Sequence, residues 1–176
     1  MRYATLLEAK DKIELIPLPY DMGALAPVMS RDTVKYHYSV LSKGYVDRYN
    51  KGEGDKQFNR AGALLHNLWW PQLQAPQTRN TPQGPVADLI RDHYDDFVDF
   101  KRQFTEAATA FMGSGWIYLA KDGKIKDLKN QSWKNDVLLP IDMWEHSYYM
   151  DYPADKKTYL KNIWSLINWK IINERI

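Results

Sequence analysis

The chain has 176 residues, 44% of them hydrophobic and 26% charged, with a formal net charge of +2. This is a globular composition, long enough for one or two small domains with a real core, and without the clustered basic face of a nucleic-acid binder. The complete lack of cysteine excludes a disulfide framework, a thiolate ligand and a catalytic thiol, and fits a reducing cytoplasm.

No apolar run approaches the ~18 residues of a membrane span. Met1 to Lys12 has scattered charges and no long apolar stretch, so it does not read as a secretory signal. Residues 13–29 hold three prolines and a glycine and are expected to be extended. Ser30 is a plausible N-cap. Beyond it Val34, His37, Tyr38, Leu41, Tyr45 and Tyr49 recur every three or four residues, the stripe of a helix. Asn50 to Asp55 reads as a turn. A second helix is expected from about Gln57 to Trp70, ended by Pro71, so that the two form an antiparallel hairpin. Gln74 to Pro85, with three prolines and a glycine, reads as a linker.

Val86 to Phe111 is helical in pattern and divides into two helices. Trp116–Lys121 and Lys124–Lys129 flank Asp122-Gly123, a hairpin signal. Val137–Trp144 is a third apolar run that completes a small antiparallel sheet. A closing helix is expected from Leu160, Ile163, Trp164, Ile167 and Ile171. The fold class is therefore α+β: an N-terminal antiparallel helical hairpin, then an α/β domain with a three-stranded antiparallel sheet. The expected division is 1–75, a linker at 76–85, and 86–176.

The most informative stretch is Asp142-Met143-Trp144-Glu145-His146-Ser147-Tyr148-Tyr149, where a carboxylate and an imidazole stand four residues apart among aromatics. The histidines are four: His37, His66, His93 and His146. Three imidazoles and a carboxylate suit a redox-active first-row ion such as iron or manganese. Two candidates lie in each half, so the site would form only on folding, at the junction of the halves. Taken alone, His37 and His66 read more often as partly buried structural histidines than as ligands. Asp142 reads as a strand-end cap or as a ligand, the latter favoured by its apolar run Leu138-Leu139-Pro140-Ile141. His93, near the stripe of Ile90 and Phe97, reads as an ordinary helix histidine. Aromatics make up 14% of the chain, including seven tryptophans. They read as core, or as a shell that keeps water from a reactive centre.

Several segments together resemble the iron/manganese superoxide dismutase family. They are Leu18-Pro19-Tyr20 with Ala24-Leu25-Ala26-Pro27, Tyr36-His37-Tyr38, Phe58-Asn59 leading to His66 and Trp69-Trp70, Gly113-Ser114-Gly115-Trp116, Asp142 to Tyr149, and Asn168-Trp169. The resemblance implies that His37, His66, Asp142 and His146 bind one manganese or iron ion, with solvent as a fifth ligand. It implies superoxide as the substrate, disproportionated to dioxygen and hydrogen peroxide. Tyr45 matches the family's gateway tyrosine. Gly62 with Gln131 resembles the manganese-type arrangement, in which a glutamine from the sheet bonds the bound solvent, and this tips the metal slightly toward manganese. Trp69 and Trp116 are implied as lining. Glu145 is implied to reach His146 of the partner subunit in a homodimer, with Tyr149 beside it. Neither nucleic acid nor membrane is implied as a partner.

The chain also departs from the family. Leu41 stands where a histidine usually bonds the partner's tyrosine, and the connection between the first two helices is short. A basic guide for the anion is expected near Lys156 or Lys157. The alternative reading is a metal-binding structural or interaction protein on a dismutase scaffold with little or no turnover.

Overall fold

The computed structural model describes residues 12–176; the reading of the N-terminal stretch as no secretory signal falls on residues 1–11, outside those described. Ser30 opens the first helix, α1 (Arg31–Tyr36), its hydroxyl oxygen accepting from the Thr33 amide. The chain then continues without a break through a π-helical segment, His37–Ser42, into α2 (Lys43–Lys51). The expected stripe is therefore one rod with a widened middle. Gly52, at φ +71°, ends it in the left-handed region that glycine tolerates. Asp55 caps α3 (Lys56–Trp69) by accepting from the Phe58 amide. Pro71 does not stop the chain at once. A 3-10 turn, Trp70–Gln72, carries it one step further.

Residues 74–84 contain no helix or strand. Beyond them lie α4 (Pro85–Arg91) and α5 (Phe97–Ala110), the latter capped by Asp96. Three strands follow: β1 (Gly115–Ala120), β2 (Ile125–Lys129) and β3 (Val137–Asp142). They form an antiparallel sheet of order β2-β1-β3. Trp116 lies opposite both Leu128 and Asp142. β1 and β3 are buried throughout, which explains their near-continuous apolar character; β2 is a half-exposed edge.

Two expectations need correction. β3 ends at Asp142, short of Trp144, because the Trp144 amide turns back to donate to the Asp142 Oδ1 and a 3-10 turn, Glu145–Ser147, begins. The closing helix is not continuous. It divides into α6 (Lys156–Asn162), a 3-10 turn (Ile163–Leu166) and α7 (Trp169–Asn173). The break occurs because Ile167 forms a bridge with Leu73 and the Asn168 amide donates to the Gln72 carbonyl. The Asn80 amide group also donates to the Trp164 and Ile167 carbonyls. Ile172, rather than Ile171, is then the buried residue.

One apolar cluster spans both halves of the chain, joining Leu65, Trp69 and Trp70 to Phe100, Phe104, Trp116, Leu139 and Tyr159.

Candidate metal centre

Four side chains converge where the rod, α3 and the end of β3 meet. His37 comes from the π-helical segment, His66 from the last turn of α3, Asp142 from the end of β3, and His146 from the 3-10 turn after it. One donor atom from each lies within 4.8 Å of every other. The His37 and His66 Nε2 atoms are 2.9 Å apart. The Asp142 Oδ2 is 3.2 Å from His37 Nε2, 3.6 Å from His66 Nε2 and 3.4 Å from His146 Nε2. His37, His66 and Asp142 are fully buried, whereas the His146 ring is 17% exposed and marks the open side.

Local bonds aim these groups. His66 Nδ1 is 2.7 Å from the Gly62 carbonyl one turn back. A carbonyl only accepts, so Nδ1 carries the proton and Nε2 presents a lone pair. The Asp142 carbonyl accepts from the Tyr159 and Ser147 hydroxyls, and its Oδ1 from the Trp144 amide. That leaves Oδ2 facing the imidazoles without a regular hydrogen bond. The Ser42 hydroxyl donates to the His37 carbonyl and accepts from the Trp70 indole N–H. Burial pushes His37 down to about 4 and, helped by the neighbouring His37 charge, His66 down to about 3. Burial acts to raise Asp142, but His146 and His37 outweigh it and hold the carboxyl below its ordinary range.

The His66 lone pair, the His37 and His146 Nε2 atoms and an anionic oxygen are thus packed together. Such electron-rich atoms repel one another unless a cation lies among them. Metal–ligand bonds of roughly 2 Å need donors spaced on the order of 3 Å, as these are. The three-nitrogen, one-oxygen set fits a first-row transition ion.

Aromatic rings enclose the cluster. Trp70 meets His37 edge-on at 4.8 Å, Trp116 meets His66 at 5.1 Å, and Trp144 stacks on His146 at 5.6 Å. The Tyr45 ring stacks on His66 at 5.3 Å. Gly62 makes that possible, since a Cβ there would lie 2.7 Å from the Tyr45 ring. Gln131, just past β2, is buried; its amide donates to the Tyr45 hydroxyl at 3.2 Å and its oxygen accepts from the Trp116 indole at 3.0 Å.

Two domain models of one known family match this chain. The model of the iron/manganese superoxide dismutases, C-terminal domain, matches residues 82–175, and that of the alpha-hairpin domain matches residues 12–57. A manganese/iron superoxide dismutase of Porphyromonas gingivalis is 37% identical over 189 residues, covering 92% of this chain and 98% of the relative. An iron superoxide dismutase of Escherichia coli K12 is 35% identical, covering 93% and 97%. A manganese/iron superoxide dismutase of Aeropyrum pernix is 34% identical, covering 94% and 91%. The chain belongs to the iron/manganese superoxide dismutase family.

Within that family frame, the structure gathers His37, His66, Asp142, His146, Tyr45, Gln131 and Trp116 at one place. Trp69 does not face the histidine rings; it is fully buried and packs edge-on against Trp116 at 6.2 Å, backing the lining. Glu145 and Tyr149 are exposed near His146. Lys156 donates to the Phe111 carbonyl at the end of α5. His93 lies in the turn after α4, exposed, its Nδ1 bonded to the Leu89 carbonyl and its ring against Gly123. The sequence reading missed Ser42, Trp144, Ser147 and Tyr159 as supports. Ser42 and Ser147 have a retrospective signal, each lying five residues beyond a ligand, His37 and Asp142, and bonding that ligand's carbonyl. Arg48 was missed too: its guanidinium lies 5.1 Å over the Tyr45 ring and bonds the Asn59 oxygen.

Proposed function

We propose that this chain is a superoxide dismutase whose single manganese or iron ion is held by His37, His66, Asp142 and His146. The convergence of four lone-pair donors in a buried pocket carries the reading, and membership of the family supports it. When bound, the ion supplies one-electron chemistry in both directions, so that one superoxide is oxidised to dioxygen and the next, with two protons, is reduced to hydrogen peroxide.

The chain's own residues supply order and protons. Gln131 donates to the Tyr45 oxygen, so the Tyr45 O–H proton is free for another acceptor. Burial raises Tyr45 above its ordinary value, so it stays protonated and serves as a proton donor in neutral solution. Trp116 fixes which way the Gln131 amide faces. Gln131 is assigned to the solvent ligand that tunes the potential. Gly62 on α3 with a glutamine beyond the sheet favours manganese.

In the same reading the protein is a cytoplasmic homodimer in which Glu145 reaches His146 of the partner subunit and Tyr149 lies at the contact. The hairpin unit ends near residue 75 and the α/β unit begins near 86. No described helix is long and apolar enough to cross a membrane. Nucleic acid is not a partner.

Metal content and superoxide removal measured on one purified sample test the proposal. Near one ion per chain with rapid removal is expected, and His146→Ala is expected to abolish loading. Full loading without turnover would favour the second reading, a metal-stabilised structural protein, for which the replacement of the usual gate histidine by Leu41 is the motivating observation.

A further inference from the structure

β3 is an edge strand: it pairs with β1 on one side only. Its outward carbonyls need other partners. Side chains provide them in sequence. The Leu138 carbonyl accepts from Arg175 Nη1 at 2.8 Å, the Pro140 carbonyl from Gln72 Nε2 at 2.6 Å, and the Asp142 carbonyl from Tyr159 and Ser147. Arg175 is 7% exposed and Gln72 fully buried.

Both side chains also reach the other half of the centre. Arg175 Nη2 donates to the Leu68 carbonyl at 2.6 Å, two residues beyond His66 on α3. Arg175 Nη1 also donates to the Gln72 oxygen at 2.8 Å, and Gln72 lies in the 3-10 turn that continues α3. One guanidinium therefore joins the backbone that carries His66 to the backbone that carries Asp142. Its planar fork holds two donor directions at a fixed angle, which a flexible ammonium does not. Charge-assisted bonds to buried carbonyls are strong and short.

The geometry points to Arg175, with Gln72 as its relay, as the positioning residue that sets the separation between the His66 and Asp142 ligand arms. Its bonds to the Leu68 and Leu138 carbonyls act on the ligands through the two backbones. This inference rests on the metal-centre reading. Direct hydrogen-bond partners of metal ligands alter metal affinity about ten- to hundredfold; Arg175 stands one step further out and is expected to alter it by less.

The test uses the full chain loaded with manganese(II). Arg175→Met is expected to speed manganese release into a chelator several-fold, short of the roughly tenfold or more of a direct ligand partner, and to change the manganese electron paramagnetic resonance spectrum. Arg175→Lys should restore release only in part, because one ammonium cannot span both carbonyls in the fork geometry. Gln72→Met, which keeps the Arg175 bonds to Leu68 and Leu138, should shift both readouts in the same direction by less; it gives the answer if Arg175→Met does not fold. A folded Arg175→Met or Gln72→Met protein with a lowered thermal midpoint but unchanged release and spectrum would overturn the inference and leave a purely structural bond. Failure of the wild-type chain to bind manganese would instead sink the metal-centre reading itself.

Discussion

His66 shows how one bond fixes a ring's chemistry: with Nδ1 donating to Gly62, only Nε2 is left to act as a ligand. The same burial makes the site sensitive to acid. His37 and His66 titrate near 4 and 3 in the fold, against an ordinary 6.5, so the unfolded chain takes up these protons first as pH falls. Their contribution to stability is complete above about 6.5 and is lost as pH falls toward 4 and then 3; Asp142, also depressed, extends the loss in the same direction. The thermal midpoint of the metal-free protein should therefore fall between about pH 7 and about pH 4.5. A flat profile would mean the two rings are already solvated in the fold. Gly62→Ala tests the Tyr45 contact. Its Cβ would press 2.7 Å from the Tyr45 ring, and the overpacking should cost about 1–3 kcal/mol in denaturant titration, while turnover falls as Tyr45 is displaced from Gln131. The four converging residues were legible through the family resemblance of the segments that hold them, whereas His37 and His66 taken alone were not. Tyr159 was not: its hydroxyl bonds an atom 17 residues away, and nothing local marks it.

The helix that carries His37 and Tyr45 is informative as an element. Eight residues of regular α-helix make about 2.2 turns, which would leave Tyr45 off the face of His37. The π-helical segment His37–Ser42 is wider, as the Lys43 amide bonding the Tyr38 carbonyl shows, and a wider turn holds more residues. Tyr45 is thereby brought back to stack on His66. Ser42 sustains the segment through two buried bonds, to the His37 carbonyl and from the Trp70 indole. Ser42→Ala should lower stability by about 1–3 kcal/mol and change the near-ultraviolet signal of Trp70; a neutral effect would show that the segment is held by packing alone. Periodicity revealed the rod but not its widening, since both patterns put apolar residues three to five apart. The Asp122-Gly123 turn and the Ser30 cap were legible because each acts within a few residues. The break at Ile167-Asn168 was not, because its cause is a pairing with residues 72 and 73, far away in sequence.

At the scale of the whole molecule, the rim beside His146 carries Tyr149 at 51% exposed and Met150 at 53%, and the rod carries Val40 at 53% and Tyr36 at 46%. Large apolar side chains left in water favour a second protein surface over them. The proposed homodimer predicts a solution mass of twice 20.7 kDa by sedimentation. Glu145→Lys should shift that mass toward the monomer and slow turnover; an unchanged dimer would place the contact elsewhere. The class of fold was legible because helical stripes fill the first two thirds of the chain and short apolar runs around the Asp122-Gly123 turn follow them. The single core that crosses both halves was not, because no stretch of sequence records which apolar faces meet.

The donor atoms are dispersed along the chain, the first pair at 37 and 66 and the second at 142 and 146. A nascent polypeptide on the ribosome therefore exposes two imidazoles long before their partners have been made. Ion capture at the full donor set has to wait until His146 has emerged and folded back onto the earlier pair.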